Sequence, residues 1–110
     1  MRIPTLIPFF AAALLAQQTQ AKPLDMHCEL GRQVSVAGDV RMDSAIDLNW
    51  KGKQYRMQRV TTSTGALRFE DQSSGLVWIS IPSKAMLLDS RRGEPVANEC
   101  KADKVAQLER

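Results

Sequence analysis

The side chains able to do chemistry are few and fall in four places. His27 and Cys28 stand side by side, and a second cysteine, Cys100, lies near the other end of the chain. Glu70 and Asp71 form an adjacent carboxylate pair. Thr61, Thr62, Ser63 and Thr64 crowd their hydroxyls directly before Gly65. Lys84 is the only cation in the stretch "SIPSKA", from Ser80 to Ala85.

Nucleophilic catalysis needs a thiol or hydroxyl held against a base in fixed geometry. A lone Cys-His dipeptide fixes none, and Cys100 offers Cys28 an ordinary partner, so one disulfide is expected rather than a reactive thiol. Glu70 and Asp71 are candidates for an acid/base pair only if they converge. Neighbours on a strand point to opposite faces, and solvated strand ends are the expectation. One histidine cannot build a metal site, and no Cys or His spacing resembles a zinc set. The sequence has no glycine-rich phosphate loop and no nucleophile elbow. The chain therefore reads as a non-enzyme without metal or cofactor, with a hydrolase using Glu70 or Asp71 as the remote alternative.

At 110 residues the chain accommodates one domain. Residues 1–21, "MRIPTLIPFFAAALLAQQTQA", join a basic residue, an apolar run and small residues at Thr19 and Ala21, the pattern of a secretory signal cut after Ala21. The run is broken by Pro4 and Pro8 and falls short of the ~20 apolar residues of a spanning helix. A lipid anchor would need a cysteine at the cut, whereas Cys28 follows "DMH". The expectation is a soluble periplasmic or secreted protein with no stable membrane anchor. The formal net charge of +3 is spread thinly, Arg91-Arg92 being the only adjacent basic pair, and nucleic acid is not an expected partner. Closing the long loop between Cys28 and Cys100 removes roughly 4 kcal/mol of unfolded-state entropy on the chain-entropy account, a large share for a small core.

The elements that must position these residues read as strands. "VSVAG" (Val34 to Gly38) and "AIDLNW" (Ala45 to Trp50) alternate. "QYRMQRV" alternates at Tyr55 and Met57, then slips at Arg59-Val60, and the polar link "KGK" (Lys51 to Lys53) makes Trp50 and Tyr55 expected neighbours across a hairpin. "ALRFED" alternates after the hydroxyl loop, "QSSG" (Gln72 to Gly75) is a turn, and "LVWISI" (Leu76 to Ile81) is the strongest β-former. Pro82 turns the next step into a loop or bulge, "KAMLLD" (Lys84 to Asp89) is another strand, "SRRGEP" a turn and "VANEC" a short closing segment. An all-β fold follows, a small antiparallel barrel of about eight strands spanning 22–100, favoured because an open sheet of this size would expose long edges. Residues 101–110 are expected to be a frayed helix or disorder. A homodimer stays open, with no interface indicated.

The order of features resembles the membrane-bound and periplasmic inhibitors of c-type lysozyme, the MliC/PliC family. The likeness rests on the leader, "HCELG" (Cys28, Gly31), the hairpin "NWKGKQY", a loop of S-A-S-G-A type before a basic-aromatic pair ("TSTGALRF"), a strand of W-x-S-K-G type ("VWISIPSKA"), an A-x-L strand ("AMLL") and the late Cys100. It covers nearly the whole domain, each motif short and the spacing carrying the weight.

What the resemblance implies is an eight-stranded antiparallel barrel that inserts a serine from one loop and a lysine from another into the lysozyme cleft. The serine falls on Thr64, flanked by Ser63 and Gly65. Counting back from Ala85 puts the lysine on Ile81, which cannot pair with an acid; counting from the S-K dipeptide puts it on Lys84, beside Ser83. Lys84 is the preferred equivalent. Leu67 is an extra residue relative to the pattern, a change of loop or a bulge, and Arg68 and Phe69 match the basic-aromatic pair, the arginine bracing the loop and the aromatic packing inward. The implied partner is c-type lysozyme. The alternative is an envelope protein of the same fold that binds another protein or a small apolar ligand.

Overall fold

A computed structural model describes residues 22–102. The expected leader, 1–21, and the tail from 103 onward lie outside the described residues. The chain forms a closed antiparallel barrel in which β1 (Leu24–His27), β2 (Gln33–Ala37), β3 (Ala45–Trp50), β4 (Lys53–Val60), β5 (Leu67–Asp71), β6 (Leu76–Ile81), β7 (Lys84–Asp89) and β8 (Glu94–Ala102) pair in sequence order and β8 returns to β1. A single 3-10 turn, Glu29–Gly31, links β1 to β2.

Alternation selects the inner wall. On β3, Ile46, Leu48 and Trp50 are buried while Asp47 and Asn49 face outward. One inner row runs across four ladders: Arg59 opposite Phe69, Phe69 opposite Trp78, Trp78 opposite Leu87, Leu87 opposite Ala97. Large and small residues thus share a level, and Phe69, Trp78, Leu87 and Ala97 are all at or below 1 % exposure. The barrel is filled by side chains. The slip at Arg59 is explained here, since this arginine keeps the inward register of Met57 and covers the end of the core.

The barrel closes at its narrowest ladder, where only Met26 with Ala102 and His27 with Lys101 pair. Two fasteners reinforce this seam. Cys28 and Cys100 form the expected disulfide across 72 residues of sequence, and Arg32 Nη1 donates to the Val96 carbonyl at 2.8 Å.

Several expectations need correction. The four-residue β1 is a strand that periodicity did not reveal, and β8 is nine residues long, running through Lys101 and Ala102 rather than ending at a short closing segment. Trp50 pairs with Lys53 and Tyr55 with Leu48, so Trp50 and Tyr55 are diagonal rather than direct neighbours. The Lys51-Gly52 turn is tighter than the three-residue link expected, with both residues at positive φ (51° and 78°). Pro82 makes no bulge; the loop alternative holds, in its tightest form, since Ile81 pairs with Lys84 and Ser80 with Ala85, which leaves Pro82 and Ser83 as a two-residue turn. Leu67 is not a bulge either, because it opens β5 in register with Ser80 and packs against the core.

Candidate functional site

The meander sends alternate connections to opposite ends of the barrel. One rim carries the residues between β1 and β2, Lys51-Gly52, Gln72 to Gly75, and Ser90 to Gly93. The other carries Gly38 to Ser44, the hydroxyl stretch Thr61 to Ala66, and Pro82-Ser83, together with the start of β1 and the end of β8. Both loops singled out in the sequence therefore share a rim.

Two of the four connections on the first rim are clasped together. Ser90 donates to the Gly75 carbonyl from both its main-chain nitrogen (2.8 Å) and its hydroxyl (2.7 Å). Arg91 Nη2 donates to the Ser73 carbonyl at 2.6 Å, and its side chain lies so close over Gly75 that a Cβ there would meet its Cγ, Cδ and Nε at 3.0 Å. These two loops hold each other.

The second rim is built differently. The hydroxyl loop closes on itself: Thr62 Oγ1 donates to the Ala66 carbonyl at 2.8 Å, and Thr64 Oγ1 accepts from the Ala66 N–H at 3.4 Å. The second bond uses an oxygen lone pair and leaves the Thr64 proton to donate outward. Gly65 has φ 87° and no heavy atom within 4 Å of a Cβ placed on it, while Ser63, Thr64 and Gly65 are all exposed. The loop is thus a projecting self-braced turn.

Beside it stands the β6–β7 hairpin. Leu67, which ends the hydroxyl loop, pairs with Ser80, and Ser80 pairs with Ala85. With strands about 4.8 Å apart, the head of β7 lies about 10 Å from the head of β5. Lys84 sits at that position, with Ser83 exposed in the turn before it.

The Lys84 ammonium is engaged. Its Nζ lies 2.6 Å from Glu99 Oε2 on β8, with about two fifths of the lysine side chain and one third of the glutamate side chain exposed. That hydrogen bond holds the Glu99 carboxyl below its ordinary value; slight desolvation works the other way, and the charges of Lys84 and Lys101 add to the lowering. Glu99 itself has φ 52°, in the left-handed region, within the irregular stretch of the β7–β8 ladder.

The remaining expected residues fall elsewhere. Phe69 is fully buried in the barrel. Arg68 does not brace the hydroxyl loop; its Nε donates to Glu70 Oε2 at 2.7 Å along the same strand. Glu70 is thereby committed to Arg68, while Asp71 accepts from the Ser73 hydroxyl at 3.1 Å. The two carboxylates serve different partners and do not converge. No group of three or more His, Cys, Asp or Glu able to hold a metal occurs among the described residues.

Glu99 and Arg59 were the residues that sequence reasoning missed. Arg59 left a signal in the broken alternation of β4. Glu99 left none, because its aim depends on an irregularity in strand pairing.

The chain matches no family model, no curated protein and no solved structure.

Proposed function

We propose that this protein is a proteinaceous inhibitor of c-type lysozyme that seats its second rim on the active-site cleft. Thr64 donates its hydroxyl from the self-braced loop, with Ser63 and Gly65 shaping the tip, and Lys84 supplies the cation with Ser83 beside it. The observation that carries the reading is the direct pairing of Ile81 with Lys84. Opposite residues in a ladder hold their Cβ atoms about 5 Å apart, so a cation on Lys84 covers nearly the ground that one on Ile81 would.

The chemistry is sound. A retaining glycosidase keeps two carboxyl groups about 5 Å apart in different protonation states. An ammonium between them forms charge-assisted hydrogen bonds, favours the ionised form of both and removes the proton that the leaving group needs. Long-range attraction contributes nothing, since a net positive chain meets a basic enzyme, and affinity must come from local insertion. The reading places the protein in the periplasm or outside the cell.

The test is a titration of the oxidised protein into a c-type lysozyme while lysis of Gram-positive cell walls is followed. Stoichiometric loss of lysis is expected, and undiminished lysis at large molar excess overturns the reading.

One observation favours a second reading, an envelope protein of the same fold with another protein as partner. Lys84 already has a counter-ion in Glu99. A small apolar ligand is the weaker form of that alternative, because Trp78, Phe69, Leu48 and Met57 fill the barrel.

A further inference from the structure

The ladder between β7 and β8 is regular at Leu88 with Pro95 but shifts above it: Leu87 faces Ala97 and Ala85 faces Cys100. One residue, Met86, therefore stands against two, Asn98 and Glu99. Such a bulge redirects a side chain, and here it does so at the expense of a glutamate held at φ 52°, a conformation that glycine adopts far more easily. The redirected carboxylate ends 2.6 Å from Lys84 Nζ. A strained backbone kept in place to deliver one ion pair, at the rim where the proposed site lies, calls for a role.

We propose that Glu99 is the resident counter-ion of Lys84 and sets the specificity of the rim, handing the ammonium over to a partner's carboxylate on docking. This rests on the inhibitor reading and deepens it. Both side chains are partly exposed, and an ion pair in such a setting is weak and quick to exchange. A lone carboxylate on a protein surface gains no more from Lys84 than Glu99 already does, so it does not displace it. A carboxylate pair in a desolvated cleft interacts more strongly with the same cation and wins the exchange. Glu99 thus rejects casual acidic contacts and admits a cleft with clustered carboxylates. The bulge fixes Glu99 on the barrel wall, so its own carboxylate stays behind when Lys84 swings outward.

Glu99→Gln removes the charge and keeps the shape, and Glu99→Gly removes the side chain while suiting the left-handed backbone. Each is compared with the unaltered protein in the lysozyme titration, with and without Lys84→Ala, and thermal unfolding reports whether each folds. Both Glu99 variants are expected to inhibit more strongly, by up to about fivefold. That gain disappears in the Lys84→Ala background, which a merely structural role for Glu99 does not predict. Inhibition by the Glu99 variants where the unaltered protein has none overturns the handover, because Glu99 then holds Lys84 back rather than releasing it to the cleft. Equal or weaker inhibition by both folded variants, with the unaltered protein active, overturns the counter-ion role and leaves the inhibitor reading standing. Silence from all of them at large excess overturns the inhibitor reading and this inference with it.

Discussion

Arg59 stands directly opposite Phe69 in the β4–β5 ladder, its guanidinium carbon 4.9 Å from the ring centroid. The same guanidinium reaches the β2–β3 loop, donating from Nη2 to the carbonyls of Val40 (2.6 Å) and Asp43 (2.9 Å) and from Nε to Asp43 (3.1 Å). One side chain therefore lids the core and ties down the loop above it.

Arg59→Lys keeps the charge but not the planar fork, so it cannot stack and bond two carbonyls together. The expected loss is about 2 kcal/mol, combining a cation–π contact with charge-assisted hydrogen bonds. Urea unfolding checks it, and a change within about 0.5 kcal/mol assigns Arg59 no more than a surface role.

The seam should fail when its covalent fastener is removed. Cys28→Ala with Cys100→Ala is expected to cost about 4 kcal/mol through the freed unfolded chain, plus a contribution from the space left at the fully buried Cys100. Arg32→Ala tests the second fastener and should cost about 1 kcal/mol. Denaturant midpoints under oxidising conditions measure both.

Two glycines separate backbone strain from crowding. Gly65 and Gly75 have nearly the same φ, 87° and 83°, but a Cβ on Gly65 meets open space and one on Gly75 meets Arg91. Gly65→Ala is expected to cost about 1 kcal/mol and Gly75→Ala clearly more. Equal losses would show that Arg91 moves aside freely.

Acid should weaken the β5–β6 turn. The Asp71 carboxyl is held below its ordinary value, first by the Ser74 hydroxyl, then by the Ser73 hydroxyl and the main-chain N–H groups of both serines, against slight desolvation. A carboxyl depressed on folding stabilises the protein above its unfolded value, near pH 4, and that contribution is lost as pH falls through the lower folded value. Asp71→Asn should therefore flatten the acid limb of stability. Urea midpoints from about pH 6 down to about pH 2 read the difference, which is small because the group is partly exposed.

On the inhibitor function proposed for the rim, Thr64→Ser retains the hydroxyl and should keep inhibition of lysozyme, whereas Thr64→Ala should weaken it about fivefold and Lys84→Ala about tenfold or more. The Thr64→Ala/Lys84→Ala double variant should inhibit little while unfolding at nearly the same temperature. Full inhibition by that double variant removes the site assignment.

Three strands were legible to the residue, β3 from its alternation, β6 from its β-forming run and β7 from the apolar stretch after Pro82, and each starts and ends where its residues predict. β1 was hidden because "LDMH" is too short to show a period, and β8 because Pro95 and the bulge break its pattern. The loop at Pro82 was legible, but its tightness was not. Proline sits in a two-residue turn without harm, since its missing N–H is not needed there. The site was half legible. Composition exposed the hydroxyl loop and Lys84, but the partner of Lys84 lies 15 residues away and is aimed by a non-glycine residue in a left-handed conformation, which no local pattern announces.

All ladders but one join strands adjacent in the chain. Hairpins of that kind form early and cheaply, whereas the β1–β8 ladder must bring together residues more than seventy positions apart for two paired positions. Closure is therefore the natural rate-limiting event of folding, and the Cys28–Cys100 bridge bears on it directly. With the bridge intact in the denatured chain, the two ends of the barrel never separate and the search for closure is already over. Oxidised protein should refold much faster than reduced protein, with the larger part of the stability difference appearing in the refolding rate rather than in the unfolding rate.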